Sequence, residues 1–330
     1  PVNALLSYII SKIFFFFLNG VIVKLVYTKV ETGNFGDDIN TWLWKELLGK
    51  DPFNDNKDLL FFGVGSILAD YMLAPTKQKV ILGSGSSLER VEYDHSTCKT
   101  FWVRGPRSAT AMDLPLEKAI SDSAYLVLDT NLAKKTVQKR YGISIIPHHQ
   151  SLPMIDWHKA SSGCGMHLIE ASSHYLSVIE QIRQSELVIT ESLHGAIIAD
   201  AFRIPWIAID FSYRFSSRKW FDWAESIRVS LNIVRVPTVF QGKLSNLNKV
   251  KNFLYKQLGE VTDNPRWKKR PYKYSTPEEM LHFIKTLKEI PEKNDSQLSN
   301  DEILDDVLLR MRNSFEDFKS FYNENTQVDK

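Results

Sequence analysis

Short apolar runs that end in glycine or serine constrain this chain more than any other feature. Residues 21–28 (VIVKLVYT), 59–66 (LLFFGVGS), 79–87 (KVILGSGSS) and 100–112 (TFWVRGPRSATAM) all follow that pattern. Runs with no polar alternation belong to strands buried on both faces, which means a parallel sheet covered by helices. Residues 125–129 (YLVLD) read as the strand that closes this first series. A polar linker over residues 130–140 separates it from a second series, with strands at 143–150 (ISIIPHHQ), 187–190 (LVIT) and 206–210 (WIAID). Helices are expected over 174–184 and 193–202. Two such series predict an α/β fold of two Rossmann-like domains facing a cleft, the first over 20–135 and the second over 136–292.

With 330 residues the chain is too long for one ordinary core. The net charge of +2 gives no reason to expect nucleic acid. Cys98 and Cys164 are too few for a disulfide framework and read as reduced thiols. Residues 4–18 (ALLSYIISKIFFFFL) are strongly apolar but shorter than the roughly twenty residues that span a bilayer. Segment 1–19 is therefore expected to lie in the membrane interface, against the competing reading of a helix buried in the protein itself. The basic block 266–270 (RWKKR) fits a lipid headgroup or a pyrophosphate, or else a solvated loop. These features suggest a cytoplasmic protein held peripherally at the inner face of the cell membrane. Over 293–330, Leu304, Leu308, Met311, Phe315, Phe318 and Tyr322 recur at three- and four-residue steps. They predict an amphipathic helix docked on the body or on a second subunit.

Ligands of parallel sheets gather beyond the carboxyl ends of the strands. After the first strand the chain turns through Gly33, Asn34, Gly36, Asp37 and Asp38. A metal, a phosphate and a plain helix cap are three readings of that turn. Adjacent aspartates on one turn point different ways, so no metal is expected. Around residues 187–202 a strand hands over to a helix whose first turn holds His194 and Gly195, preceded by Glu191 and Ser192. Free N–H groups and the positive helix end suit an anion there, and Gly195 would admit a ligand to the backbone. His148 and His149 follow another strand, and Arg104 and Arg107 flank a Gly-Pro turn that suits phosphate or carboxylate. Gly65 and Ser66 belong to a glycine turn open to a sugar or phosphate. The segment 211–223 (FSYRFSSRKWFDW), with Lys219 and Trp220, could form an aromatic wall for sugar rings or an amphipathic buried segment.

Taken in order, NFGDD, FGVGSIL, VRGPRSA, DSAYLVLD, IPHH and TESLHGAIIADAFRIPWIAI resemble the polysaccharide pyruvyl transferase family over residues 21–223. The resemblance implies a GT-B-like fold and phosphoenolpyruvate as donor, with no tightly bound cofactor. Its product would be a cyclic pyruvate ketal on a sugar of an exopolysaccharide, capsule or cell-wall polymer. The acceptor would be an oligosaccharide or a polyprenyl-pyrophosphate-linked glycan. His194 matches the family's donor-site histidine. Ser192 stands where many members carry arginine, which leaves Arg104, Arg107, Arg214 or Lys219 to supply the charge. The expected catalytic set is His194, Asp37, Asp38, His148 and His149. Arg104, Arg107, Glu191, Ser192, Gly195 and Lys219 are assigned to the donor, and Asn34, Gly36, Gly65, Ser66 and Trp220 to the acceptor. Two other functions share the pattern: a GT-B glycosyltransferase with a nucleotide-sugar donor, and a non-catalytic scaffold of polysaccharide assembly.

Overall fold

The computed structural model describes residues 23–53, 59–73, 77–243 and 245–326; the expected interfacial segment 1–19 lies outside them. The first half runs β1 (Val23–Val26), α1 (Phe35–Asp38), α2 (Asn40–Leu48), β2 (Leu59–Phe62), α3 (Asp70–Leu73), β3 (Gln78–Leu82), β4 (Cys98–Trp102) and α4 (Pro106–Ala111). Its strands form one parallel sheet in the order β1-β2-β3-β4. Side chains alternate between two cores: Leu59, Phe61 and Val80 enter one, and Phe62 and Ile81 the other. That double burial is why the runs read as unbroken apolar segments.

The run YLVLD is not a strand. Ser123–Asp129 form a 3-10 helix in which Tyr125, Leu126 and Val127 are fully buried. Asp122 caps it by accepting from Ala124 N at 3.0 Å, and Ser123 Oγ donates to Leu82 O at 2.6 Å. A short apolar run bounded by turns fits a buried helix as well as a strand.

The second half runs β5 (Tyr141–Ile146), α5 (Trp157–Cys164), β6 (His167–Leu168), α6 (Tyr175–Arg183), β7 (Ser185–Thr190), α7 (Leu193–Ala201), β8 (Trp206–Asp210), α8 (Ser217–Ser226) and β9 (Ile233–Arg235). Its parallel sheet has the order β6-β5-β7-β8-β9. Strand order reverses between β5 and β7, which opens a crevice at their carboxyl ends. Both sheets are thus parallel and helix-covered, consistent with two Rossmann-like units. Four helices follow: α9 (Asn246–Thr262), α10 (Pro265–Lys268), α11 (Pro277–Lys293) and α12 (Asp301–Thr326). The Thr276–Glu279 capping box starts α11 as its sequence suggests.

The tail helix α12 returns to the first sheet. Leu304, Leu308, Met311, Phe315, Phe318 and Tyr322 are all buried. The Phe318 ring lies 5.5 Å from Phe61 and 5.5 Å from Phe101. Arg312 grips Asp129 through Nε and Nη2. Buried Asp200 on α7 ties the halves together. It accepts from Tyr125 Oη at 2.8 Å, from Trp206 Nε1 at 3.1 Å, and from Ser299 N at 2.8 Å just before α12.

Replacing Phe318 by Ala removes one aromatic plug between α12 and the sheet. It should cost about 3–5 kcal/mol, read as a lower midpoint in denaturant unfolding. A loss under about 1 kcal/mol would show that α12 is not part of the core.

Candidate active site

His194 lies in the first turn of α7, which follows β7 at the carboxyl end of the β5–β7 crevice. Helix α7 starts at Leu193, and Ser192 at its N-cap makes no side-chain capping bond. Thr190 Oγ1 instead accepts from Ser192 N at 2.9 Å. The first N–H groups of α7 have no acceptor within the helix, as at any helix start. The His194 ring is wedged between two elements of the first half. On one side lies Gly36, where an added Cβ would fall 2.0 Å from His194 Nδ1. On the other lies fully buried Asp122, with its Oδ2 3.8 Å from His194 Nε2. Neither Asp122 Oδ2 nor His194 Nε2 has a hydrogen-bond partner among the described residues. Asp122 opens the DSAYLVLD motif, whose apolar run hides it as a candidate in the sequence alone.

The two adjacent aspartates have different tasks. Asp38 Oδ2 turns back to accept from Asn34 N at 3.0 Å, so it caps the helix start. Asp37 Oδ2 accepts from Asn34 Nδ2 at 2.6 Å, and its other oxygen faces Gly65. Gly65 adopts φ +125°, where an added Cβ would lie 2.9 Å from Asp37 Oδ1. Burial raises the Asp37 carboxyl above its ordinary value, against the pull of the neighbouring His194 and Lys219 charges. Asn40 holds this corner rigid: it bonds Asp37 O, both backbone groups of Val64, and Trp44 Nε1.

Across the cleft, Lys219 on α8 has no ion pair or hydrogen bond among the described residues. Burial, then the Arg104 charge, lowers its ammonium to about 8, with Asp37 and Glu191 opposing. His148 and His149 flank it, their rings 4.4 Å apart. Burial and the Lys219 charge push both imidazoles down, His148 well below its usual value. They are neutral hydrogen-bonding groups rather than cations. Asp37, His194, Lys219, His148 and His149 thus come together from three helices and one loop that are distant in sequence. Ser66 is exposed beside them, its Oγ accepting from Arg104 Nη1 at 2.5 Å.

Five residues expected at the site have internal partners that account for them. Arg104 is fully buried and its Nε pairs with Asp222 at 2.9 Å, so it holds α8 rather than a donor anion. Arg107 grips Glu225 through Nε and Nη2, again an internal bond to α8. Glu191 is buried, with one oxygen accepting from His148 N and the other from Ser212 N, each at 3.0 Å. It positions the histidine loop and offers a ligand nothing. Gly195 points its Cα hydrogens at Thr190, where a Cβ would lie 2.5 Å from Oγ1; it serves packing, not ligand access. Trp220 is fully buried against Trp206, Phe215 and Trp223, with no face for a sugar.

Beside the cleft a cavity of about 380 Å³ is lined by Ser87, Gln150, Tyr213, Arg214, Arg266 and Arg270, among others. No carboxylate among the described residues pairs with any of the three guanidinium groups. No cluster of three or more metal-ligating side chains occurs among the described residues.

A parallel α/β pair whose cleft gathers a lysine, three histidines and a carboxylate has the residue types that group transfer uses. The family model for polysaccharide pyruvyl transferase matches residues 11–213, and the chain belongs to that family. It is a pyruvyltransferase. The chain is also similar to the succinoglycan biosynthesis protein ExoV of Rhizobium meliloti (strain 1021). The two are 37% identical over 220 residues, which covers 65% of this chain and 68% of that protein.

Because an added methyl at Gly36 collides with the ring of His194, Gly36→Ala should lower pyruvyl transfer by roughly 10²-fold. Thermal unfolding should change far less, since the ring can swing toward the cleft. An unaltered rate would remove the Gly36–His194 contact from the account.

Proposed function

We propose that the enzyme transfers pyruvate from phosphoenolpyruvate to two hydroxyls of one sugar, forming a cyclic ketal and releasing phosphate. The observation that carries this reading is the gathering of Lys219, His194 and the α7 start opposite Asp37. Phosphoenolpyruvate brings a phosphate and a carboxylate, and the unpaired Lys219 ammonium and the helix start supply complementary charge. A proton must reach the enol CH₂ to make the ketal methyl, and His194 is placed to deliver it. Asp122 behind the ring would orient it. Asp37, with its raised carboxyl, takes a proton from the first attacking hydroxyl. The C2–O bond to phosphate then breaks, Lys219 stabilising the leaving group, and the second hydroxyl closes the ketal. Of the two hydroxyl protons, one ends in the methyl group and the other on phosphate. His148 and His149, held neutral, hydrogen-bond the donor carboxylate.

The arrangement is read as GT-B-like, with the sheet of residues 20–135 on the acceptor side and that of 136–292 on the donor side. Asn34, Gly36, Gly65 and Ser66 then form the acceptor wall, and Ser192 lends its backbone to the donor. The name of the similar Rhizobium protein supports an exopolysaccharide as the product's destination. The three-arginine cavity supports an acceptor linked through a diphosphate to a polyprenyl lipid, at the inner face of the membrane. No helix among the described residues is long and apolar enough to cross a bilayer.

Incubation with phosphoenolpyruvate and candidate glycans should release phosphate and add the mass of a ketal-linked pyruvate; release with no glycan adduct would refute the reading. The Lys219 ammonium is present below about pH 8 and lost above it. The kcat/KM for phosphoenolpyruvate should therefore fall as pH rises through about 8. Lys219→Arg should carry that falling limb to higher pH, and a limb that stays in place would dissociate it from Lys219. Arg214→Ala with Arg266→Ala should raise KM roughly tenfold for a diphosphate-linked acceptor and leave KM for the free oligosaccharide unchanged. An equal rise for both would show that the cavity does not read the diphosphate.

A further inference from the structure

Helix α9 shows solvent its apolar face. Leu247, Val250, Leu254, Leu258 and Val261 are 78%, 60%, 56%, 50% and 85% exposed. Their spacing of three and four residues places them in one stripe along the helix. The opposite side faces the protein. Gly259 is buried, and an added Cβ there would lie 2.8 Å from Trp267 Cβ and from Lys268 N. Asn252 Nδ2 donates to Pro271 O at 2.7 Å. Tyr255 packs on Trp267 from the same inner side, so the helix already has a covered face and its leucine and valine stripe is a second apolar face left in water. Apolar patches of this kind mark contact sites.

The surrounding charge identifies the occupant. Residues 243–273 carry nine lysines and arginines against Glu260 and Asp263. Lys268 pairs with Asp263, and Lys269 with Asp210. Among the described residues no carboxylate pairs with Lys249, Lys251 or Lys256, and Lys251 borders the stripe. A second copy of the chain would bring the same cationic segment against itself. An anionic lipid surface meets both the apolar stripe and the positive charge.

We propose that α9 docks this protein on anionic bilayers, with Leu247, Val250, Leu254, Leu258 and Val261 entering the boundary between headgroups and acyl chains. The site is distinct from the apolar segment 1–19. It requires neither the donor nor the catalytic roles assigned above. Arg266 and Arg270 of the three-arginine cavity belong to the segment that packs on the inner face of α9.

The test uses the full chain with vesicles of mixed phosphatidylglycerol and phosphatidylcholine, against vesicles of phosphatidylcholine alone. The protein should float with the anionic vesicles, and binding should weaken with salt. The double substitution Leu254→Asp, Leu258→Asp should lower partition by more than about tenfold. Both side chains are exposed, so circular dichroism and basal pyruvyl transfer to a soluble acceptor should not change. Hydrogen exchange supplies a readout local to the helix: amides of 247–261 should gain protection only with anionic vesicles. Undiminished flotation of the variant, or 247–261 amides that exchange equally with and without vesicles, would overturn the proposal. So would a concentration-dependent dimer that the same substitutions abolish.

Discussion

The buried ion pair between Arg104 and Asp222 sets the geometry on which the cleft depends. Both side chains are fully removed from water, and each charge is tolerable only because the other is there. Asp222 also accepts from Ser108 N at 2.9 Å and from Ser108 Oγ at 2.6 Å, so its position over the first half is tightly determined. Gly105 is glycine because a Cβ there would lie 1.9 Å from Asp222 O. Lys219 stands three residues before Asp222 on the same helix, so the pair fixes where the free ammonium enters the cleft. The same Arg104 charge helps push the Lys219 ammonium down toward neutrality. One buried pair thus joins the halves, places the Lys219 ammonium and tunes it.

On the opposite wall the decisive quantity is space rather than charge. Gly36 leaves room for the His194 ring, and Gly65 leaves room for the Asp37 carboxylate. Two side chains from different halves can then approach without a covalent or hydrogen-bonded link between them. Asn40 and Glu191 serve as internal brackets, one under Asp37 and the other under His148. The side chains proposed to react are thus held by buried residues, which is how a site built from separate segments keeps its geometry.

Much of this was legible in the residues. Unbroken apolar strands with glycine ends revealed two parallel sheets, and the strand-to-helix turn at His194 is where α7 begins. The misreadings share a physical origin. YLVLD is as apolar as a strand, but the Asp122 cap winds it into a 3-10 turn. Arg104 and Arg107 have the chemistry to bind phosphate, but residues more than a hundred positions away, Asp222 and Glu225, use them first. Trp220 and Glu191 look like site residues until their burial is known. Composition reveals what a side chain can do; only tertiary pairing shows what remains free to do it. The resemblance to pyruvyl transferases was carried by the ordered motifs, and the family match over residues 11–213 agrees with it.

The central claim is that the donor phosphate binds where Lys219 and the start of α7 meet. The most direct measurement is a crystal structure of the enzyme soaked with phosphoenolpyruvate. The account predicts phosphate oxygens within hydrogen-bond distance of Lys219 Nζ and the N–H groups of the α7 first turn, with the enol carbon beside His194. A phosphate seated instead among Arg214, Arg266 and Arg270, with Lys219 empty-handed, would contradict it.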